Sequence, residues 1–350
     1  MLRICRIGHG FSQYLTRNAL PASLHHCVLN LNTDLTAELH QIRRSRHGDS
    51  KEHLKHLICF KDWDPERIKE VICSASNLKN LFGDTHGKKM DLLKCTKVMI
   101  LEDHNEPILR MAVSKAVSML GASDVHIVEA LDWEHDFIGR VYSEMADTIF
   151  VSSLTYGCLK RFAEHSLVPV VCMRSRRHAS IQSLATIMSI IEDHGKLENL
   201  NIAYVGAPHQ VLNDYLILCP MLGANLNFKC CCNKCKVSPL LLDDSKHICE
   251  KSCTKMSQVI KTPEALKGAN VIIAGPTTRQ KEKIPEFVLS VDEIKKHTQN
   301  DWTFYHTFPR GEEVDDTLFF HENSRTFNAF RNTQFIAAAL MVYILKSRLF

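Results

Sequence analysis

The sequence predicts an α/β protein with two doubly wound parallel-sheet domains joined by a long helix. Three observations lead to this fold class. The 350 residues are too many for one small core and suit two domains. Short apolar runs alternate with amphipathic helical segments, and such alternation requires parallel sheets covered by helices. A long helical segment, residues 180–193, separates two series of this kind.

The first series starts with a helix near residues 64–78 and a strand at 97–101. A helix at 107–120 follows, with Pro107 in its first turn and Gly121 after its end, which are the preferred positions of these two residues. The later elements are short apolar strands separated by a helix, at 124–128, 146–151, 156–165 (the helix) and 168–172. We expect this series, residues 57–180, to form the first domain.

The second series repeats the pattern over residues 181–330. Its predicted strands are 201–205, 225–230 and 270–274, and its predicted helices are 211–222 and 243–252. The apolar run 335–345 has 11 residues, whereas a membrane span needs about 20, so it predicts a buried helix and no membrane insertion. We expect residues 331–350 to form a C-terminal helix that packs back on the first domain.

The first 33 residues differ in composition from the rest of the chain. They contain Arg3, Arg6 and Arg17 together with serines and threonines, and no acidic residue precedes Asp34. This composition is typical of a mitochondrial transit peptide, which predicts a location in the mitochondrial matrix. An untargeted N-terminal segment is the alternative. Residues 34–56 are polar and lack periodicity, so we interpret them as a linker.

Charge and cysteine content exclude several classes of function. The net charge of +4 is too small and too scattered for a nucleic-acid-binding surface. Fourteen cysteines in a large chain without a secretory segment predict reduced thiols rather than a disulfide framework. The spacing of Cys232, Cys235, His247, Cys249 and Cys253 would suit a tetrahedral zinc site, but two packed elements would bring such thiols together as well. We predict no metal and no cofactor, and the sequence leaves the metal question open for residues 230–253.

A motif near the end of the chain carries a family resemblance. Residues 301–310 read Asp-Trp-Thr-Phe-Tyr-His-Thr-Phe-Pro-Arg and precede Glu-Glu-Val-Asp-Asp at 312–316. This stretch resembles the His-Cys-Leu-Pro region of ornithine carbamoyltransferases, in the aspartate/ornithine carbamoyltransferase superfamily. Segments 59–81, 168–185 and 262–273 resemble other parts of that family in the same order. The resemblance implies a homotrimer that binds carbamoyl phosphate between domains and subunits and ornithine over the second domain.

The family's phosphate-binding loop, Ser-Thr-Arg-Thr-Arg, is replaced in this sequence. The resemblance aligns it with five residues that include neither arginine: Asn105, Glu106, Pro107, Ile108 and Leu109. Glu106 puts a negative charge where a phosphate would bind, and Pro107 removes a backbone N–H. A polyanionic substrate needs arginines and amides around it, so this loop predicts loss of phosphate binding.

Other family positions have changed in the same direction. The His-Pro-x-Gln motif falls on residues 179–182, where only Gln182 is retained, with His178 one position early. In the His-Cys-Leu-Pro motif His306 is retained and the cysteine is Thr307. The segment that holds the amino acid substrate falls on 275–280 without its acid, Ser-Met pair or glycine. Gln182 and His306 are therefore candidate substrate-binding remnants, or side chains that keep loop hydrogen bonds satisfied.

The expected loss of catalysis follows from the free energies of the contacts that are missing. Four arginines and several polar anchors, at about 1.5–4 kcal/mol each, sum to roughly 10 kcal/mol, or about seven orders of magnitude in rate. The leading hypothesis is a pseudoenzyme that acts through contacts with an unknown protein partner. The second is a cleft that binds a different anion or amino acid through Arg174, Arg177, His178 and Arg279. Residual ornithine carbamoyltransferase activity is the third.

Overall fold

The computed structural model describes residues 56–84, 89–129, 135, 137–230, 237–276 and 287–349 of the chain. The predicted transit peptide and the predicted linker up to residue 55 lie outside these ranges. The fold class is confirmed: two parallel sheets covered by helices are joined by one long helix.

The first sheet has four parallel strands in the order β2-β1-β3-β4. They are β1 (Lys97–Glu102), β2 (Asp124–Glu129), β3 (Thr148–Ser153) and β4 (Val170–Ser175). Leu57 extends this sheet by a single parallel bridge to Val171. The helices of this part are α1 (Pro65–Asp84), α2 (Pro107–Leu120), α3 (Ile138–Ser143) and α4 (Tyr156–His165).

The second sheet has five parallel strands in the order β7-β6-β5-β8-β9. They are β5 (Asn201–Val205), β6 (Asn225–Lys229), β7 (Met256–Gln258), β8 (Val271–Ala274) and β9 (Thr303–His306). The linking helix is α5 (Ser180–His194). The remaining helices are α6 (Gln210–Met221), α7 (Pro239–Ser252), α8 (Thr262–Leu266), α9 (Val291–His297), α10 (Asp316–Phe319) and α11 (Thr326–Leu349).

The buried apolar residues form three clusters. One large cluster joins one face of each sheet through α1, α2, α5, α6 and α11, and two smaller clusters cover the opposite faces. Helix α11 packs against α1, α2 and α5, and it starts at Thr326 rather than at residue 331. None of the helices in the described ranges combines the length and the apolar character needed to span a membrane.

The strand orders locate two edges where ligands bind in folds of this kind. Strand order reverses between β1 and β3 in the first sheet and between β5 and β8 in the second. In open parallel sheets, ligands occupy the crevice beyond the carboxyl ends of the strands at such reversals. Residues 105–109 follow β1, and residues 206 and 275 follow β5 and β8, so these two edges hold the candidate site.

Candidate functional site

The loop after β1 ends in the first turn of α2, and Glu106 lies at its centre. Pro107 is the first residue of the helix, and Glu106 precedes it with no hydrogen bond from its side chain to the helix end. Only 8% of Glu106 is exposed. Its carboxylate therefore points into the protein, away from the solvent that an acidic side chain normally faces.

Two basic side chains hold the Glu106 carboxylate. Arg174 Nη1, from the end of β4, lies 2.8 Å from Oε2, and His104 Nε2 lies 3.2 Å from Oε1. The Arg174 side chain is only 17% exposed, so solvent screens this contact weakly. The basic groups at this edge thus bind a carboxylate of the same chain, which occupies them in place of an external anion.

A second buried acid lies at the end of β1. Glu102 is 3% exposed, and neither of its carboxylate oxygens accepts a hydrogen bond among the described residues. Its nearest cation is Arg110 Nη1 at 3.2 Å, which also contacts Glu129 at 2.9 Å. Burial raises the pKa of Glu102, Arg110 opposes this, and the charges of Glu129 and Glu106 add to it. The arginine at this position is therefore shared between two carboxylates of the chain.

The other residues of this loop offer an anion little. Asn105 Oδ1 accepts a hydrogen bond from Arg110 Nη2 at 3.2 Å. Leu109 is buried in the core, and Ile108 is 39% exposed on the outer side of α2. The side chains of the five residues that replace the phosphate loop are thus apolar, acidic or already hydrogen-bonded within the chain.

The end of β3 also carries hydroxyl groups where the family resemblance implies an arginine. Ser152 and Ser153 are both buried. Ser153 donates to Asp103 Oδ2 at 2.7 Å, and the backbone N–H of Leu154 donates to Asp103 Oδ1 at 3.0 Å. This serine–aspartate pair closes the loop and leaves it without a positive charge of its own.

Gln182 and Thr307 come together between α5 and the end of β9. Gln182 Nε2 donates to the backbone oxygen of Thr307 at 2.6 Å. The Thr307 hydroxyl and N–H both bond the backbone oxygen of Ala274, at 3.1 and 3.0 Å. Both side chains are thus engaged with backbone atoms, and they tie the linking helix to the second sheet.

His306 is held separately from Gln182, with both ring nitrogens engaged. Its Nε2 lies 2.8 Å from Glu313 Oε1, and its Nδ1 accepts the backbone N–H of Phe308 at 2.9 Å. Because Nδ1 is an acceptor, the ring proton lies on Nε2 and is donated to Glu313. The His306 side chain is 0% exposed, so in this arrangement it fixes the loop after β9.

At the crevice of the second sheet, the backbones that follow two neighbouring strands touch. Gly206 and Gly275 follow β5 and β8, and Gly206 has φ +154°. A Cβ atom at Gly206 would lie 2.5 Å from the Gly275 Cα. The buried ring of Tyr204 lies against Gly275, and its hydroxyl donates to the oxygen of Ala207 at 2.7 Å. The backbones that follow β5 and β8 therefore lie in direct contact at the strand-order reversal, and residues 277–286 beyond Pro276 lie outside the described residues.

His178, one position from the family's histidine, is part of a buried ion pair. Its Nδ1 lies 2.7 Å from Oδ1 of Asp214, whose side chain is 0% exposed. Burial lowers the pKa of His178, but the Asp214 carboxylate, with a smaller contribution from nearby Cys59, outweighs burial and raises it to about 10. The neighbouring Arg177 is exposed and its guanidinium lies 5.1 Å from the ring centre of Tyr156. Arg174 at the end of β4 and His178 in the loop after it are both paired with acids of this chain.

The family resemblance also implies an arginine near Thr333, late in the chain, where this sequence has none. Thr333 lies in α11 and donates to the backbone oxygen of Phe330 at 2.6 Å. Arg331 is exposed. Between them, Asn332 is fully buried and links Glu192 and Lys79, at 3.0 Å from each. This position contributes to the packing of α11 rather than to a cleft.

The cysteine-rich segment falls partly outside the described residues. Cys230 and Cys249 are buried and Cys253 is exposed, whereas residues 231–236 are not described. Within the described ranges, no group of three or more His, Cys, Asp or Glu side chains could hold a metal ion. The metal site considered for residues 230–253 stays an untested alternative.

The sequence did not identify Asp214, Glu313 or Asp103 as partners of site residues. Glu313 lies in the motif at 312–316, so its spacing of seven from His306 was available as a signal. Asp103 directly follows β1, and its position in a polar turn was a second signal. Asp214 lies inside an apolar helix, α6, where an isolated acid is costly unless it is paired.

Comparisons with known proteins point to one superfamily. The model of the aspartate/ornithine carbamoyltransferase Asp/Orn-binding domain matches residues 198–344. The chain is 24% identical over 308 residues to the mitochondrial ornithine carbamoyltransferase of Aquarana catesbeiana, covering 83% of this chain and 87% of that protein. It is 24% identical over 310 residues to the ornithine carbamoyltransferase of Campylobacter jejuni, covering 83% and 98%.

Solved structures support the same fold. A mitochondrial ornithine carbamoyltransferase from Coccidioides immitis superimposes with a TM-score of 0.77 at 21% identity, over 85% of this chain and 99% of that chain. The ornithine carbamoyltransferase from Pyrococcus furiosus gives a TM-score of 0.76 at 22% identity, over 83% and 96%. At these identities the structural likeness shows the fold and carries no activity with it.

Proposed function

Because the chain belongs to the aspartate/ornithine carbamoyltransferase superfamily, we propose that it is a member that has lost carbamoyl transfer and acts through contacts with another protein. The observation that carries this proposal is the Glu106 carboxylate. It is buried and bound to Arg174 and His104 at the edge where the resemblance implies phosphate binding. An anion at that edge would have to displace a carboxylate that is covalently part of the chain.

The chemistry of the reaction sharpens this argument. Phosphate is the leaving group of carbamoyl phosphate, and the carbamoyl oxygen gains negative charge in the transition state, so both need cationic or N–H donors. Here Glu102 and Glu106 stand at that edge, and Pro107 has no N–H to offer. The carbamoyl oxygen has no free donor at the position of the family cysteine either. Thr307 stands there, and its hydroxyl already donates to the backbone oxygen of Ala274.

The binding of ornithine lacks support as well. Its amino and carboxylate groups would need polar anchors at the second crevice, but Gly206, Gly275 and the Tyr204 ring are packed together there. Of the retained polar residues, His306 and Gln182 bond Glu313 and the Thr307 backbone. Neither substrate therefore has an unoccupied set of donors among these residues.

The direct test is an assay of citrulline formation with purified full-length protein at high concentration, with ornithine and carbamoyl phosphate both in excess. An active relative, such as the Campylobacter jejuni ornithine carbamoyltransferase, serves as the positive control. We expect no product above the uncatalysed rate. Product formation that saturates with ornithine would contradict the proposal.

A different anion or amino acid as ligand is the alternative proposal. Arg177 is an exposed basic group after β4 that would serve it, while Arg174 and His178 are paired internally and Arg279 lies outside the described residues. A thermal-shift screen with phosphate, carboxylates and amino acids separates the two proposals. A concentration-dependent rise of Tm with one ligand favours the alternative, and an unchanged Tm across the panel favours the protein-contact proposal.

Two further proposals concern location and assembly. We propose import into the mitochondrial matrix, supported by the composition of residues 1–33 and by the mitochondrial relatives. A reporter fused to residues 1–40 would test it, and diffuse cytosolic signal would contradict it. We also propose that the homotrimer implied by the family resemblance persists, which light scattering tests directly. A monomer mass would rule it out.

A further inference from the structure

Phenylalanine side chains form an exposed patch where α10 meets the start of α11. Phe320 is 65% exposed and Phe327 is 51% exposed, and their rings lie at 19° to each other with 5.9 Å between the ring centroids. One turn along α11 the patch continues to Phe330, whose ring meets that of Phe308 edge-on at 5.6 Å. Phe308 is itself 42% exposed. The proposed function assigns no role to these rings.

The two most exposed rings rest on a buried one. Phe319 is 7% exposed, and both Phe320 and Phe327 meet its ring edge-on, at centroid distances of 5.2 and 5.4 Å. The guanidinium of Arg310 lies 4.6 Å from the centre of the Phe319 ring, and its Nη2 lies 2.6 Å from Asp316 Oδ1. These contacts hold the exposed rings in one orientation. The patch is therefore a preformed surface, which a partner would not have to order.

The size of the patch indicates an interaction site. Single exposed apolar side chains are normal, but a contiguous apolar patch with a polar rim marks a surface that another molecule covers. A phenylalanine offers about 200 Å² of surface, so the exposed fractions of Phe308, Phe320 and Phe327 leave roughly 300 Å² uncovered. A stable interface buries about 800 Å² on each side, with an aromatic centre and a polar rim. The patch has the size of such a centre.

Two charges of opposite sign flank the patch. Glu322 follows Phe320 by two residues, and Arg331 lies one helical turn beyond Phe327 on the same side of α11. Both are exposed, and neither has an ion-pair partner within the described part of the chain. In a two-fold contact between identical surfaces, a residue that meets a second residue of the other copy is met in turn by it. An apolar centre with one free acid and one free base beside it is therefore complementary in charge to a copy of itself.

We propose that a second copy of this chain covers the patch through a two-fold contact. The Phe320 ring of one copy packs against the Phe327 ring of the other, and Glu322 of each copy pairs with Arg331 of the other. The contact is independent of the proposed homotrimer, and it doubles the mass of whichever species, monomer or trimer, exists without it. It also does not depend on the loss of carbamoyl transfer.

The first experiment measures the mass of the full-length protein by light scattering at concentrations from about 1 to 100 µM, the range in which weak association becomes visible. We expect the mass to double as the concentration rises. Phe327→Ser should keep the smaller species throughout, and Phe320→Ser is the second variant if Phe327→Ser does not fold. Leu240→Ser, at a residue of α7 that is 77% exposed and outside the patch, is the matched control and should associate like the wild type.

The second experiment is specific to a two-fold contact. Glu322→Arg and Arg331→Glu each bring like charges together twice, so each variant alone should associate at least about tenfold more weakly. An equal mixture of the two variants pairs opposite charges again at both places, so it should regain the doubled mass. The proposal is overturned if the mixture associates no better than its components. It is also overturned if the wild-type mass stays constant with concentration, or if the folded serine variants still double.

Discussion

Replacing Glu106 by glutamine removes the carboxylate that occupies the first candidate edge while keeping the side-chain volume. The substitution should lower the stability of the protein and raise its affinity for anions. The protein should lose stability, because a carboxylate that is 11% exposed no longer bonds Arg174 at 2.8 Å. The edge should gain affinity for anions, because Arg174 and His104 are released.

The loss of stability can be estimated from the contact. A hydrogen bond between charged groups contributes about 1.5–3 kcal/mol, and leaving a buried charge without its partner costs roughly 3–5 kcal/mol. Arg174 retains some exposure and glutamine keeps one weaker contact, so we expect a decrease of about 2–3 kcal/mol in the free energy of unfolding. Urea titration measures it. Glu66→Gln on α1, whose side chain is 82% exposed, is the matched control and should change stability by less than about 0.5 kcal/mol.

The gain in anion affinity follows from the same charge. Two unit charges 4 Å apart repel by about 4 kcal/mol at an effective dielectric constant of 20, which exceeds one charge-assisted hydrogen bond. Glu106→Gln removes this repulsion and leaves two donors, so inorganic phosphate should bind with a Kd of about 1 mM, near −4 kcal/mol. Calorimetry would show weak saturable heat in the variant and none in the wild type or in Glu66→Gln. Equal phosphate binding by the wild type and Glu106→Gln would refute this reasoning.

A change of pH and a substitution at Gly206 test two other contacts of the fold. The pKa of His178 is raised to about 10. The stabilisation from its pair with Asp214 should therefore be fully present below about pH 6.5 and be lost as the pH rises towards 10. Urea unfolding midpoints measured across that pH range test this. An Asp214→Asn variant with an unchanged pH profile would be inconsistent with this. Gly206→Ala should destabilise by roughly 3 kcal/mol, because its Cβ would lie 2.5 Å from the Gly275 Cα at a φ that L residues rarely adopt. Thermal unfolding of Gly206→Ala within a degree of the wild type would contradict the close contact between Gly206 and Gly275.

Strong periodicity and clear end signals made most of the fold predictable. Helices α2 and α4 and strand β5 have the bounds expected from the sequence. Pro107 and Gly121 mark the ends of α2, helical periodicity marks α4, and an apolar run marks β5. Strand β7 was missed because it is a three-residue, largely exposed edge strand with no apolar run. Strand β9 was not predicted because residues 301–310 were considered as a family motif and assigned to no strand or helix, although Thr303–His306 is buried throughout.

The residue types of the candidate site could be predicted from the sequence, but only some of the contacts between them could. The replacement of both loop arginines and the charge of Glu106 are visible in the sequence. The partner of Glu106 is not, because Arg174 lies 68 residues away and had been considered as a ligand for an external anion. The same holds for His178 and Asp214, which are 36 residues apart and meet only when α6 packs beside the loop after β4. Pairings of this kind depend on tertiary packing, which periodicity does not report.

Calorimetric titration of the wild-type protein with carbamoyl phosphate tests the central claim most directly. Binding precedes any transfer, and it depends on the edge where Glu106 holds Arg174 and His104. We expect no heat beyond dilution from the wild type, and a saturable isotherm from an active relative as the positive control. Saturable binding by the wild type in the micromolar range would contradict it, because it would show that this chain still provides a phosphate site.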